Sequence, residues 1–262
     1  MWSSNAGIRD DLRVIQTIHC SPLDEREMDL KEYDMMRHAS LRQLLPRFAL
    51  LLLLATIIGG CSGPRRRGDP VNDAITIQRN LERGQELMRD ASEFRMEDPK
   101  ENLKGLPKLL EAETLFQEAR RLATGSSKPR LALGNCRALI GYVYYSHYLL
   151  YEDQVLGAKS REQVPAPAIV AKRDQNLMEA ERWLKDSNQE LEFYVRNLMQ
   201  KYPSPPVYEQ LAMNYEFLGN YAAAEEMIHR FMASVQLPTE TRRAYQAKAR
   251  SLRQKRLDEF EG

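Results

Sequence analysis

From residue 73 onward, apolar residues recur at three- and four-residue spacing and strand-like alternation is absent. The pattern predicts helices at 73–96, 106–123, 129–153, 167–201, 206–218, 221–235 and 239–258, an all-α chain. Three starts carry capping chemistry: Ser127 before Pro129, Ser204 before Pro205 and Pro206, and Thr239 after Pro238. In 167–201, Leu177, Leu184, Leu191 and Leu198 recur every seven residues, with Tyr194 and Val195 beside them. Such a stripe buries one seam against another helix. Core packing within the chain is the expected use, and an intermolecular coiled coil is the alternative.

Residues 205–238 carry a second periodicity. Tyr208, Leu211, Ala212 and Tyr215 precede Gly219-Asn220-Tyr221, and Ala224, Ile228 and Phe231 follow. Small Ala212 and Ala224 suit close approach of two helices, large residues fill the layer beside them, and Gly219-Asn220 suits a tight turn. This spacing resembles the tetratricopeptide repeat, with Tyr in place of Trp, Ile in place of Phe and the closing Pro two places late. Looser matches fall earlier. Ala112, Phe116 and Ala119 fit a second-helix spacing, and Leu133-Gly134 follows in the same frame, which suggests two degenerate units over 76–155. Glu97–Gly105 reads as an irregular insertion, and the frame is lost across Leu156–Ala166. The resemblance implies an α-solenoid of helical hairpins over 73–262, with one long helix and a basic C-terminal capping helix.

Upstream, Phe48 to Gly60 is an uncharged run of about a dozen residues, too short for the roughly 20 that span a membrane. Arg37, His38, Arg42 and Arg47 precede it, and Ile58-Gly59-Gly60-Cys61 ends it. Length and flanks fit the apolar region of an export signal better than a buried helix. The ending resembles the lipobox of bacterial lipoproteins, which implies cleavage before Cys61, lipidation there and acylation of the new amino terminus. Ser62, by analogy with enterobacterial lipoproteins, implies the outer membrane. Residues 36–60 are thus the expected signal, and Met35 and Met36 are candidate starts. Residues 1–35 are an acid-rich leader, expected to be disordered and arising either from an upstream start codon or as a cytoplasmic extension. Residues 61–72, with Arg65, Arg66 and Arg67, read as a flexible tether.

Composition narrows the function. The whole chain holds 38 Lys/Arg and 37 Asp/Glu; the first 60 residues hold 7 and 8 of them, so the remainder keeps 31 and 29. That balance offers no electrostatic reason to expect a nucleic-acid partner. Cys20 lies in the leader and Cys61 at the lipid site, so Cys136 is left without a disulfide partner and reads as a buried thiol. His147 and His229 are the histidines after the signal, and Glu225 shares a helix face with His229, too few ligands for a metal site. No phosphate loop, nucleophile elbow or His-Glu-x-x-His pattern occurs. Catalytic residues, cofactor and metal are therefore not expected.

One helix concentrates Tyr142, Tyr144, Tyr145, Tyr148 and Tyr151, of which Tyr144, Tyr148 and Tyr151 share a face. Aromatic stripes are usually core, but Tyr144, Tyr148 and Tyr151 are also candidates for gripping a partner. The expected protein is a lipid-anchored, non-catalytic scaffold at the bacterial cell envelope, on the periplasmic side. Its expected partners are envelope proteins or peptides, in assembly, secretion or pilus biogenesis. A helical lipoprotein that binds a small molecule for a periplasmic transporter is the alternative, and an apolar cavity near Tyr144–Tyr151 would favour it.

Overall fold

The structure, a computed structural model, describes residues 70–94, 98–200 and 204–261. The signal-like run, Cys61 and most of the tether lie outside the described residues. Among the described residues every regular element is α-helical: α1 (Pro70–Ser92), α2 (Pro99–Leu122), α3 (Ser127–Lys159), α4 (Pro167–Asn197), α5 (Pro206–Phe217), α6 (Tyr221–Ser234) and α7 (Thr239–Glu261). The chain is all-α.

Two cores organise these helices. The first takes Leu87 and Ala91 from α1, Leu109, Ala112 and Phe116 from α2, and Leu133, Cys136 and Ile140 from α3. The second takes Leu191 and Tyr194 from α4, Leu211 and Ala212 from α5, Ala224 and Ile228 from α6, and Ala249 and Leu252 from α7. Between them Ala138, Tyr142 and Leu184 form a smaller cluster flanked by Met213 and Phe217. The apolar spacing in the sequence is thus spent on helix-to-helix layers, which is where most helical stability in a protein originates.

The longest contact is the antiparallel hairpin of α3 and α4. Gly134 faces Leu191 and Gly141 faces Leu184; a Cβ built on Gly134 would lie 2.6 Å from Leu191 Cδ2, and one on Gly141 would lie 2.8 Å from Leu184 Cδ2. Two glycines seven apart on one helix therefore receive two leucines seven apart on the other, and the backbones close to a distance that any side chain would forbid. This accounts for the heptad stripe: Leu184 and Leu191 are buried within the chain, Leu198 packs half-buried against the second core, and Leu177 is half-buried.

The 205–238 spacing forms α5 and α6. Leu211, Ala212, Ala224 and Ile228 are almost wholly buried, and Tyr208, Tyr215 and Tyr221 pack half-buried on the same core. Gly219 takes φ +73°, a left-handed conformation that glycine adopts without Cβ strain, and Asn220 caps α6 by accepting a hydrogen bond from the Ala223 N–H at 3.2 Å.

Several boundaries differ from the sequence-based expectation. The expected insertion Glu97–Gly105 is mostly helix, because α2 begins at Pro99, a residue suited to a first turn. Helix α3 runs on through Leu156 to Lys159, so the lost repeat frame does not break the helix. The capping reading is corrected at two starts. Ser126, not Ser127, is the N-cap of α3 and makes no side-chain cap bond, while Pro205 occupies that position in α5.

Candidate functional site

Helices α3, α5 and α7 bring side chains to one cleft of about 120 Å³. Tyr145 comes from α3, Met213, Glu216 and Phe217 from α5, Gly219 and Tyr221 from the turn into α6, and Lys248 and Lys255 from α7. Its wall is aromatic. The Phe217 ring lies 4.9 Å from Tyr142 and 4.6 Å edge-on from Tyr145, and Tyr145 lies 5.5 Å from Tyr148. These are the offset and edge geometries that ring quadrupoles favour.

Opposite that wall stands a charged arrangement. Glu216 accepts from Lys255 Nζ at 2.7 Å and lies 3.1 Å from Lys248 Nζ, which fastens α5 to α7. Burial raises the Glu216 carboxyl pKa, but the two ammonium groups outweigh it and hold the group below the usual carboxylate range. Lys255 Nζ also stands 5.6 Å from the centre of the Tyr221 ring, within cation–π reach. Burial, with Tyr148 nearby, pushes the Tyr145 hydroxyl up to about 12, so it remains protonated at neutral pH.

Behind the aromatic wall runs a buried polar network. Tyr142 donates to Asn214 Oδ1 at 2.6 Å, and Gln210 Nε2 donates to the Tyr142 hydroxyl at 2.6 Å. Asn214 Nδ2 donates to Ser187 Oγ at 3.0 Å and to Asn188 Oδ1 at 2.8 Å, and Ser187 donates to the Gly134 carbonyl at 2.7 Å. Each member has a partner, so the network fixes the register of α3, α4 and α5 without orphaned polar groups. Burial keeps the Tyr142 proton in place by raising its pKa well above the free value.

Two further charged junctions brace the helices. Glu190 of α4 meets Arg130 at 2.8 Å, Arg120 at 3.1 Å and Arg137 at 3.6 Å, and Arg137 also reaches Glu113 at 3.0 Å. Arg130 in addition stacks 3.7 Å from the centre of the Phe193 ring. Glu225 of α6 meets Arg253 and Arg256 of α7, with His229 Nε2 3.8 Å away. The basic C-terminal helix α7 thus pairs four of its cations with Glu216 and Glu225 of the neighbouring helices, though Arg253 stays exposed.

The three tyrosines singled out in the sequence do not converge. Tyr144 packs half-buried against the first core. Tyr148 abuts Tyr145, and Tyr151 lies 5.9 Å from Lys172 Nζ of α4. None of the three lines the cleft, and Tyr148 touches it only through its ring contact with Tyr145. Tyr145, Glu216, Phe217, Lys248 and Lys255, which do line it, carry no repeat signature; the seven-residue spacing of Lys248 and Lys255 was the available signal. Cys136 is buried, with Sγ 3.3 Å from the Leu109 carbonyl, and burial raises its pKa far above that of a free thiol. Eleven residues further along α3, His147 Nε2 lies 3.2 Å from Asn102 Oδ1, and Asn102 donates to Ser146 at 2.6 Å.

Among the described residues no group of three or more His, Cys, Asp or Glu is placed to hold a metal ion, and no helix is long and apolar enough to cross a membrane. A second cavity, of about 460 Å³, lies at the far end of the α3–α4 hairpin, lined by Leu150, Gly157, Ala158, Pro165, Ala166 and Ile169 with Asp153, Gln154 and Arg161. What the cleft between α3, α5 and α7 offers chemically is recognition: aromatic surface beside two ammonium groups that share one carboxylate. Comparison of the chain with protein-family models, with curated proteins and with solved structures finds no match.

Proposed function

We propose that this chain is a lipid-anchored, tetratricopeptide-like scaffold that binds other proteins in a bacterial envelope complex. The observation that carries the reading is the cleft to which α3, α5 and α7 each contribute, with aromatic walls and paired lysines. Its 120 Å³ suits one side chain of a partner, whereas small-molecule sites occupy roughly 300–1,000 Å³. The α5–α6 hairpin supports the repeat assignment, because Leu211, Ala212, Ala224 and Ile228 all occupy its interior. Anchoring through Cys61 rests on the lipobox resemblance, with two or more acyl chains giving the stable attachment that one does not.

Affinity capture from envelope extracts with the intact protein, read by mass spectrometry, tests the scaffold. Specific protein partners are expected; a bound metabolite with no protein partner would refute it. For the anchor, Cys61→Ala is expected to abolish labelling with radioactive palmitate, and a variant that still labels and sediments with membranes would exclude the assignment. The second reading, a small-molecule carrier, is favoured by the cavity at the α3–α4 tip, whose 460 Å³ lies in the range of ligand sites. Native mass spectrometry of the purified protein separates the two.

A further inference from the structure

We infer that the aromatic row Tyr148–Tyr145–Phe217, which borders the cleft between α3, α5 and α7, docks a proline-rich segment of the partner in the polyproline II conformation. The inference rests on the scaffold reading above and adds the chemistry of what is bound.

The first argument is hydrogen-bonding capacity. Tyr142, Tyr215 and Tyr245 spend their hydroxyls inside the protein, on Asn214, Glu192 and Glu209. Those of Tyr145, Tyr148 and Tyr221 make no hydrogen bond with any described residue. Solvent reaches all three, since the buried side-chain nitrogens and oxygens without a partner among the described residues are Arg130 Nε and Trp183 Nε1. Burial raises the pKa of Tyr145 and of Tyr148, so both remain protonated and able to donate. The carboxylate that lines the cleft, Glu216, is already committed to Lys248 and Lys255. The surface thus offers hydroxyl donors while its one carboxylate acceptor is occupied. It suits a backbone rich in carbonyls and poor in N–H groups, and every proline removes one N–H. In polyproline II no carbonyl is used internally, so each is open to a phenol.

Ring spacing forms the second argument. Tyr148, Tyr145 and Phe217 follow one another at 5.5 and 4.6 Å between ring centres, so the row is no more than about 10 Å long. One turn of polyproline II, three residues at about 3.1 Å each, advances about 9 Å. Two prolines one turn apart therefore lie over the two ends of the row. The three side chains are half-buried, which leaves part of each ring open to a flat pyrrolidine. Tyr142 stands 4.9 Å behind Phe217 and is itself tied to Asn214, so the row is held before anything binds. Proline brings a fixed φ of its own, and two preorganised surfaces lose little freedom on meeting. Aromatic-lined grooves recognise proline-rich segments on this basis.

The third argument sets this row apart from the other ring contact between helices. Phe231 and Tyr245 also lie 4.9 Å apart, but Phe231 is buried and Glu209 takes the Tyr245 hydroxyl, so that pair serves packing between α6 and α7. The Tyr148–Tyr145–Phe217 row joins open rings to unspent hydroxyls beside a space of side-chain size. It asks no charge of its ligand.

The test uses the full-length protein in detergent and fluorescently labelled octaproline, with an octapeptide of alternating glycine and serine as control. Fluorescence polarisation is expected to show octaproline bound at least about tenfold more tightly, with an affinity that added salt changes by less than about twofold. Tyr148→Ala removes one end of the row and is expected to weaken octaproline by up to about tenfold, the worth of a ring contact. Tyr145→Phe/Tyr148→Phe keeps both rings and is expected to weaken it about threefold to tenfold. Urea unfolding of that double variant is expected to match wild type, because those hydroxyls bond to nothing described in the protein. Equal binding of the two peptides, octaproline affinity unchanged in both variants, or binding that added salt abolishes would each overturn the inference. Envelope partners captured alike by wild type and Tyr148→Ala, with octaproline unbound, would overturn the proline-rich inference and leave the scaffold standing.

Discussion

Replacing Asn214 with alanine is the sharpest probe of how the helices are held in register. Asn214 is wholly buried and takes part in four hydrogen bonds, with Tyr142, Gln210, Ser187 and Asn188. Without it, Ser187 still donates to Gly134 and Gln210 still donates to Tyr142. The Tyr142 hydroxyl proton and Asn188 Oδ1 lose the partners described above. An orphaned buried polar group costs about 1–3 kcal/mol, so the pair costs about 2–6 kcal/mol, and a water admitted by the smaller side chain moves the value toward the lower half. A loss of about 3 kcal/mol lowers Tm by about 6–12 °C in a domain of this size. Asn214→Leu fills the volume but leaves the same groups unpaired, so its cost is expected to be similar. Tyr142→Phe, which removes one member cleanly, is expected to cost only about 1 kcal/mol. Urea unfolding followed by circular dichroism measures all three, and Tyr142→Phe/Asn214→Leu is expected to cost less than the sum of its parts. An Asn214→Ala loss below about 1 kcal/mol, or strict additivity in that double variant, would refute the claim that this network specifies the junction.

Three other outcomes follow from the same structure. Gly134→Val places a branched side chain where Leu191 Cδ2 would lie 2.6 Å from its Cβ, so it is expected to lose at least about 2 kcal/mol in urea unfolding even though valine favours helix over glycine; a neutral result would mean that α3 and α4 can separate freely. Glu190→Gln leaves the nearly buried Arg130 and Arg137 facing one fewer charge and is expected to cost about 3 kcal/mol, with the 40%-exposed Arg120 adding little; a loss under about 1 kcal/mol would show that water reaches the cluster. Burial lowers the His147 pKa from its ordinary 6.5, with a backbone hydrogen bond at Pro99 opposing it. The unfolded chain then takes up a proton that the folded chain declines, so stability is complete above about pH 6.5 and falls as pH drops below it. Urea midpoints at about pH 7.5 and 5.5 check this, and His147→Gln is expected to flatten the difference; a wild-type midpoint unchanged between the two would exclude it.

Much of the fold was legible along the chain. Helix type and approximate bounds followed from apolar spacing, since a helical period leaves a mark every three or four residues. The α5–α6 hairpin was legible in detail because its determinants are local: small Ala212 and Ala224, Gly219 in a left-handed turn, and Asn220 at the cap lie within a dozen or so residues. The start of α2 lies ahead of the expected one because the buried residue in its first turn, Asn102, is polar and so leaves no apolar mark.

Long-range pairing was decided only in three dimensions. The leucine stripe of α4 announces a seam without naming its partner, and the partner proves to be two glycines of α3 that by spacing alone read as weak points in a helix. Asn214 sits one residue before a repeat-signature tyrosine and is invisible to the motif, yet it joins α5 to α3 and α4. The candidate site follows the same division. Sequence supplied a stock of tyrosines and a basic last helix, but an i, i+4 face on α3 cannot tell which tyrosine a distant helix will cover. Packing sent Tyr144 toward the first core and Tyr145 toward Phe217, and it set Lys248 and Lys255 on Glu216, more than thirty residues earlier in the chain. Local periodicity determines that helices form and which face is apolar; which residues meet across helices depends on contacts whose partners lie far apart in sequence, and those only the tertiary structure fixes.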